Sequence, residues 1–194
     1  MKYARLAKVT ALALAAVFFV PTSISLIRGA DEKPQPNTAS YVRIYIPGAD
    51  AQSLATYGVQ IVETYDGFIL AKAETAQVDE MRGNGLAVED ASDLFTVNLR
   101  TAVFDVRDGE PATPDSLRIN AYPAKVKGYY LVHFIGPVKE QWKWDLEARG
   151  AEVLRYIPND GFLVRMTPES RASVDLLREV IWSGIYHPAY RIDP

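Results

Sequence analysis

His133 and His187 are the only two histidines in this chain of 194 residues, and cysteine is absent. A serine-hydrolase relay needs an imidazole between nucleophile and acid, so any such scheme would have to run through one of these two. His133 lies inside Tyr130-Leu-Val-His-Phe-Ile135, which predicts a strand histidine on one face of a sheet. His187 stands between Tyr186 and Pro188 near the end of the sequence. Neither belongs to a metal-ligand spacing such as HExxH, and no Gly-x-Ser-x-Gly elbow or phosphate-cradling loop is present. Without cysteine, thiolate catalysis, thiolate metal sites and disulfide staples are excluded.

The carboxylates point the same way. Asp66 and Asp160 each precede a glycine, a pairing that hairpin turns demand for backbone reasons alone. Glu89, Asp90 and Asp93 make an acidic edge that fits no calcium-loop pattern. Trp142 and Trp144 point about 200° apart on a helix and cannot form one stacking platform. Trp142 is expected in the core, and Trp144 is expected partly exposed, a candidate interface anchor. The expectation is a chain without catalytic constellation, cofactor or metal.

These residues must be positioned by elements that the apolar pattern marks out. In the second half, Tyr129–Ile135 reads as a strand ended by Gly136-Pro137. Val138, Trp142 and Leu146 recur at four-residue spacing and predict one face of a helix over Val138–Arg149, stopped by Gly150. Ala151–Ile157 is a second strand, and Pro158-Asn-Asp-Gly161 turns it into a third, Phe162–Met166. Thr167-Pro168-Glu169 supplies an N-cap, a first-turn proline and an acid at the positive helix end. Ala172, Leu176 and Val180 are expected as the buried stripe of that helix, before a last strand over Ile181–Ile192 bent near Pro188.

The first half repeats this order. Tyr41–Ile46 matches Tyr130–Ile135, Tyr57–Val62 matches Arg149–Leu154, and Asp66-Gly-Phe-Ile-Leu70 matches Asp160-Gly-Phe-Leu-Val164. Three matches in one order point to duplication. The expected elements are strand Tyr41–Ile46, a helix near Ala49–Tyr57, and strands Val59–Tyr65 and Phe68–Ala73. A helix over Ala76–Arg82, stopped by Gly83-Asn-Gly85, and a last strand between Ala87 and Leu99 complete the copy. The fold class expected is α+β: two tandem ferredoxin-like (βαββαβ) modules, each an antiparallel sheet with helices on one face and the other face free. Arg100–Gly128 joins the copies as an ordered connector, with a short strand at Leu117-Arg-Ile119.

At the N-terminus Lys2, Arg5 and Lys8 precede an uncharged apolar run, Val9–Val20, then Pro21 and the small residues Ser23 and Ser25. That layout predicts a secretory signal, with an uncleaved anchor reaching Ile27 as the alternative. The domain boundaries expected are signal 1–25, flexible linker 26–40, first module 41–100, connector 101–128 and second module 129–194. Apolar residues at 48% and a net charge of −3 fit a folded exported chain with no basic stripe for nucleic acid.

The second copy carries a family resemblance. Tyr129-Tyr-Leu-Val-His-Phe-Ile-Gly-Pro137, Leu146-Glu-Ala-Arg-Gly150, Tyr156–Arg165 and Trp182–Ile192 resemble the N-terminal propeptide-like region of secreted subtilisin-like serine proteases. Phe104–Ile119 is similar to the connector of such tandem arrangements. The resemblance implies an intramolecular chaperone and inhibitor, whose open sheet face packs on a protease and whose last strand enters the substrate cleft. It makes Tyr186, His187, Tyr190, Arg191 and Ile192 the residues nearest the partner, with Trp144 as a further anchor. Removing Tyr186–Pro194 is then expected to abolish inhibition more than folding. No Asp, His or Ser motif of the protease domain itself is present. The partner expected is a subtilisin-like protease domain in cis or in trans; the alternative is a structural or adhesion module of the cell envelope.

Overall fold

Alternation along Tyr41-Val-Arg-Ile-Tyr45 puts Val42 and Ile44 on one side of a strand and Tyr41, Arg43 and Tyr45 on the other. The computed structural model describes residues 39–46 and 50–191, and in it this strand is β1, Ser40–Tyr45. The expected leader, nearly all of the linker, and Ile192 with the two residues after it lie outside the described residues.

β1 is joined by β2 (Gln60–Thr64), β3 (Ile69–Ala73) and β4 (Ala87–Asp90) in a four-stranded sheet of order β2-β3-β1-β4. A 3-10 turn over Ala51–Tyr57 and helix α1 (Thr75–Gly83) complete this half. Val42, Ile44, Ile69 and Ala71 pack there against Leu54, Val78 and Met81. The expected first helix is thus a 3-10 turn, started by the Asp50 carboxylate accepting from the Gln52 amide and ended by Gly58 at φ 65°. The last strand is shorter than expected: after Asp90 the chain leaves the sheet through a 3-10 turn, Ser92–Phe95.

The connector then forms a small hairpin of its own, β5 (Thr96–Asn98) and β6 (Val103–Asp105). No strand forms at Leu117-Arg-Ile119; Asp115–Leu117 is a 3-10 turn.

The second half holds β7 (Gly128–Phe134), α2 (Glu140–Ala148), β8 (Glu152–Ile157), β9 (Gly161–Met166), α3 (Pro168–Val174) and β10 (Val180–Ile185). Its strands pair antiparallel in the order β10-β7-β9-β8. Numbered within each set of four, both sheets therefore run 2-3-1-4. Asn159 and Asp160 both take positive φ, 63° and 65°, in the three-residue loop that joins the paired Ile157 and Gly161. The corresponding hairpin at Asp66-Gly67 closes with the Tyr65 amide on the Phe68 carbonyl, and neither Asp66 nor Gly67 has positive φ.

Tyr130, Val132 and Phe134 of β7 pack with Trp142, Leu146 and Val174 from the helices. Thr167 caps α3, its hydroxyl accepting from the Ser170 amide at 3.2 Å, with Pro168 in the first turn. The expected stripe on this helix is a correction. α3 stops at Val174, so the four-residue spacing has no helix to act on beyond it. Val174 and Leu177 are buried instead, Ala172 is exposed, and Leu176 stands 84% exposed.

The sheet faces opposite the helices are not free, a second correction. On sheet two, Leu131, Leu163 and Trp182 lie under Val97, Phe104 and Val106 of the connector hairpin. On sheet one, Leu70 with Tyr41, Tyr65 and Phe68 joins the core cluster of the second half. Charge follows the seam: the Glu63 carboxylate accepts from Lys139 Nζ at 2.8 Å on one oxygen and from the Arg178 guanidinium at 3.3 Å on the other.

Candidate functional site

The C-terminal segment was the expected contact surface, and its local sequence explains where it goes. Pro188 cannot continue the ladder of β10. The chain turns after Ile185 and closes a 3-10 turn over Pro188–Arg191, in place of the long strand expected to Ile192. The Tyr186 amide still donates to the Tyr129 carbonyl at 2.9 Å, and the Tyr190 amide donates to the His187 carbonyl at 3.0 Å. This folds the segment back over sheet two. Tyr186 is 8% exposed, His187 3% and Tyr190 5%.

Each buried side chain is held from the connector. The Tyr190 ring faces Phe104, centroids 6.3 Å apart, and the Thr101 hydroxyl donates to the Tyr190 carbonyl at 2.9 Å. His187 Nδ1 accepts from the Ile119 amide at 3.1 Å, so its neutral proton sits on Nε2, which faces Glu110 Oε2 at 3.2 Å. A backbone amide can only donate, which settles the tautomer. The Tyr190 hydroxyl is buried without a hydrogen-bond partner, and burial pushes its pKa up to about 12.

Of the expected contact residues, the fold therefore brings Tyr186, His187, Tyr190 and Arg191 together. Arg191 stays exposed, its guanidinium 5.2 Å from the Tyr129 ring and 5.1 Å from the Tyr186 ring. Ile192 lies outside the described residues. Trp144 is 55% exposed on α2, on the opposite face of the same sheet, since α2 packs on Val132 and Phe134 while the tyrosines pack on Leu131. Trp142 is in the core, stacked on Phe134 at 5.7 Å.

His133 is a buried strand histidine whose Nε2 donates to the Leu94 carbonyl at 2.7 Å. Burial lowers its pKa, against smaller upward pulls from the Leu94 carbonyl and Asp105, and keeps it neutral. Asp160 sits in its turn near Arg43 and Asp93, and burial pushes its carboxyl up to about 6. Of the acidic edge, Asp93 takes both guanidinium nitrogens of Arg43 at 2.7 and 2.9 Å. Among the described residues no three His, Asp or Glu side chains converge as metal ligands.

A family model described as a domain of unknown function, DUF8729, matches residues 98–187. That span begins in β5, takes in the connector and all four strands of sheet two, and ends at His187. It joins the covering hairpin to the sheet it covers. No curated protein and no solved structure gives a significant match.

A further cleft was not foreseen from sequence. Asn98, Leu99 and Arg100 on one side and Arg155, Tyr156, Ile157 and Pro158 on the other bound a space of about 390 Å³ over Tyr186 and Tyr190.

Proposed function

We propose that this chain is an exported, non-catalytic module of the propeptide type, built from two ferredoxin-like copies, that binds and restrains a subtilisin-like serine protease. The observation that carries the reading is the shared 2-3-1-4 strand order of the two sheets. The stretches that resemble such propeptides coincide with its second copy: β7 and its Gly136-Pro137 exit, Gly150 after α2, the Asn159-Asp160 turn and the β10 arm.

The manner of contact differs from the one the resemblance implies. A sheet face cannot dock on a protease while Phe104 and Val97 lie on it. Contact in this chain runs through outward groups, with Arg191 on one side and Trp144 on the other. Residues Tyr186, His187 and Tyr190 act as the anchor of that arm, and not as its reading surface.

A second reading, a structural or protein-interaction module of the cell envelope with no protease target, is favoured by one observation. Both sheet faces opposite the helices are covered by the chain itself, as a passive building block requires. Inhibition kinetics separate the two. With the full chain titrated into a purified subtilisin, the propeptide reading expects sub-micromolar competitive inhibition and an intact mass that persists through the assay. Rapid digestion with no inhibition would discard it and leave the structural module.

A further inference from the structure

One buried carboxyl group has no partner. Glu179 is 6% exposed, in the turn between α3 and β10, where its backbone carbonyl accepts from the Ile135 amide at 2.9 Å. Among the described residues its side chain makes no hydrogen bond and no ion pair. A carboxyl group withdrawn from water needs such partners whatever its charge, and a buried one without them calls for an explanation. Its oxygens are not sealed in, since the fully buried atoms that lack a partner belong to other residues. The space that Glu179 lines is a cavity of about 280 Å³ where sheet one meets the second half.

The first half supplies the opposite charge. Tyr41 pairs with Lys72, and Lys72 with Gln60, so these three form one row across β1, β3 and β2 on the face away from the helices. All three line the same cavity. Lys72 is half-buried, its Nζ 4.9 Å from the centre of the Tyr41 ring, and it makes no ion pair among the described residues. Lys72 and Glu179 thus border one space with opposite charges and do not meet. The remaining charges there answer each other, with Arg178 and Lys139 both on Glu63. Two cations on one carboxylate leave positive charge to spare on Arg178, whose side chain is 78% exposed. Ile61, Val62 and Ile135 make the apolar part of the lining.

We propose that this cavity binds a small zwitterion, a free α-amino acid with an apolar side chain. Its ammonium donates to Glu179, its carboxylate lies against Lys72 and Arg178, and its side chain lies on Val62 and Ile135. A cavity of this volume is at the lower end for ligand sites and fits one such molecule. A ligand with a single charge would leave either Glu179 or Lys72 unanswered. Because Lys72 comes from the first half and Glu179 from the second, the bound molecule also ties the halves together. The site does not depend on the protease reading, because its ligand is specified by charge and size alone.

Three probes of one shape test this on the full chain: L-leucine, 3-methylbutylamine, which lacks the carboxylate, and 4-methylpentanoate, which lacks the ammonium. Titrations followed by amide shifts are expected to give a Kd for leucine below about 1 mM, with each half-probe roughly tenfold weaker. The shifts should fall on Val62, Lys72, Ile135 and Glu179. Glu179→Gln is expected to weaken leucine about tenfold and to leave 4-methylpentanoate unchanged, since the lost contact is to the ammonium. Lys72→Met is expected to weaken leucine about as much and to leave 3-methylbutylamine unchanged. Glutamine fills the same volume, so the melting temperature of Glu179→Gln should not fall, and the opposite half-probe patterns of the two variants guard against a folding effect. The proposal is overturned if leucine does not bind at about 10 mM, if either half-probe binds as tightly, or if Glu179→Gln keeps the parent's affinity for leucine.

Discussion

A Cβ on Gly136 would stand 2.7 Å from the hydroxyl oxygen of Tyr65, nearer than any real contact allows. Tyr65 closes the β2–β3 hairpin of the first copy, and Gly136 ends β7 in the second. The two halves therefore meet at a point where one of them must have no side chain. Tyr65 is stacked on Phe68 at 4.6 Å, with Lys139 of the second half 5.1 Å above its ring.

Gly136→Ala is expected to force the halves apart locally and cost about 1–3 kcal/mol in chemical denaturation. The Tyr65 hydroxyl is buried with no partner, and burial raises its pKa. Tyr65→Phe removes that orphan group, so it is expected to raise stability by up to about 1 kcal/mol. The double variant should recover part of the Gly136→Ala loss, which a double-mutant cycle would read as coupling across the seam.

The strands and hairpins of both copies were legible in sequence because alternation and Gly/Asp turns mark them locally. Coverage of the sheet faces was not, yet one signal pointed to it. Tyr129–Phe134 is apolar on both faces except at His133, and strands buried on both sides read as such continuous runs. β5 and β6, three residues each, are too short for any periodicity to announce them. The buried stripe expected at Ala172, Leu176 and Val180 failed because spacing carries no information past the end of the helix. The arm at Tyr186–Arg191 was expected to reach a partner as part of a long strand; it folds back instead, and its burial depends on Phe104, more than 80 residues earlier in the chain.

Asp160 links the seam to pH. Its carboxyl moves from an ordinary value of 3.8 to about 6 in the fold, chiefly because burial disfavours its charge, against a pull from Arg43. The fold therefore holds this proton more tightly than the unfolded chain does. The stability it contributes is fully present below pH 3.8 and is lost as pH rises through about 6. Asp160→Asn keeps a residue that tolerates positive φ. It is expected to remove that part of the pH dependence and to exceed the parent at pH 7 by on the order of 1 kcal/mol. Denaturant midpoints at pH 4 and 7 would check it; an advantage for the variant that is equal at both would contradict it.

His187 fastens the connector to the C-terminal arm. With Phe in its place the Ile119 amide loses its acceptor, and the expected cost is about 1–3 kcal/mol. Hydrogen exchange at Ile119 should speed up, while amides in β3 and α1 keep their protection. Deleting residues 186–194 is expected to unfold the sheet-two face along with it. The contrast expected from sequence, lost inhibition with folding intact, is thus replaced by loss of both.

The covering hairpin can be tested separately. Phe104 touches Trp182 at 5.6 Å and Tyr190 at 6.3 Å between ring centres. Phe104→Ala is expected to cost about 2–3 kcal/mol as a partly buried large-to-small change. It should also raise binding of a hydrophobic dye, as the face carrying Leu131 and Leu163 becomes accessible. A fully folded variant with unchanged dye binding would show that the hairpin does not cover that face.

The most direct test of the protease account is the affinity of the full chain for a subtilisin whose active-site serine has been blocked, so that digestion cannot interfere. Isothermal titration is predicted to give a one-to-one complex with a Kd below about 1 µM, about 8 kcal/mol of binding free energy. No heat and no complex at tens of micromolar of both proteins, on the order of 6 kcal/mol or less, would contradict it and make the chain a structural module.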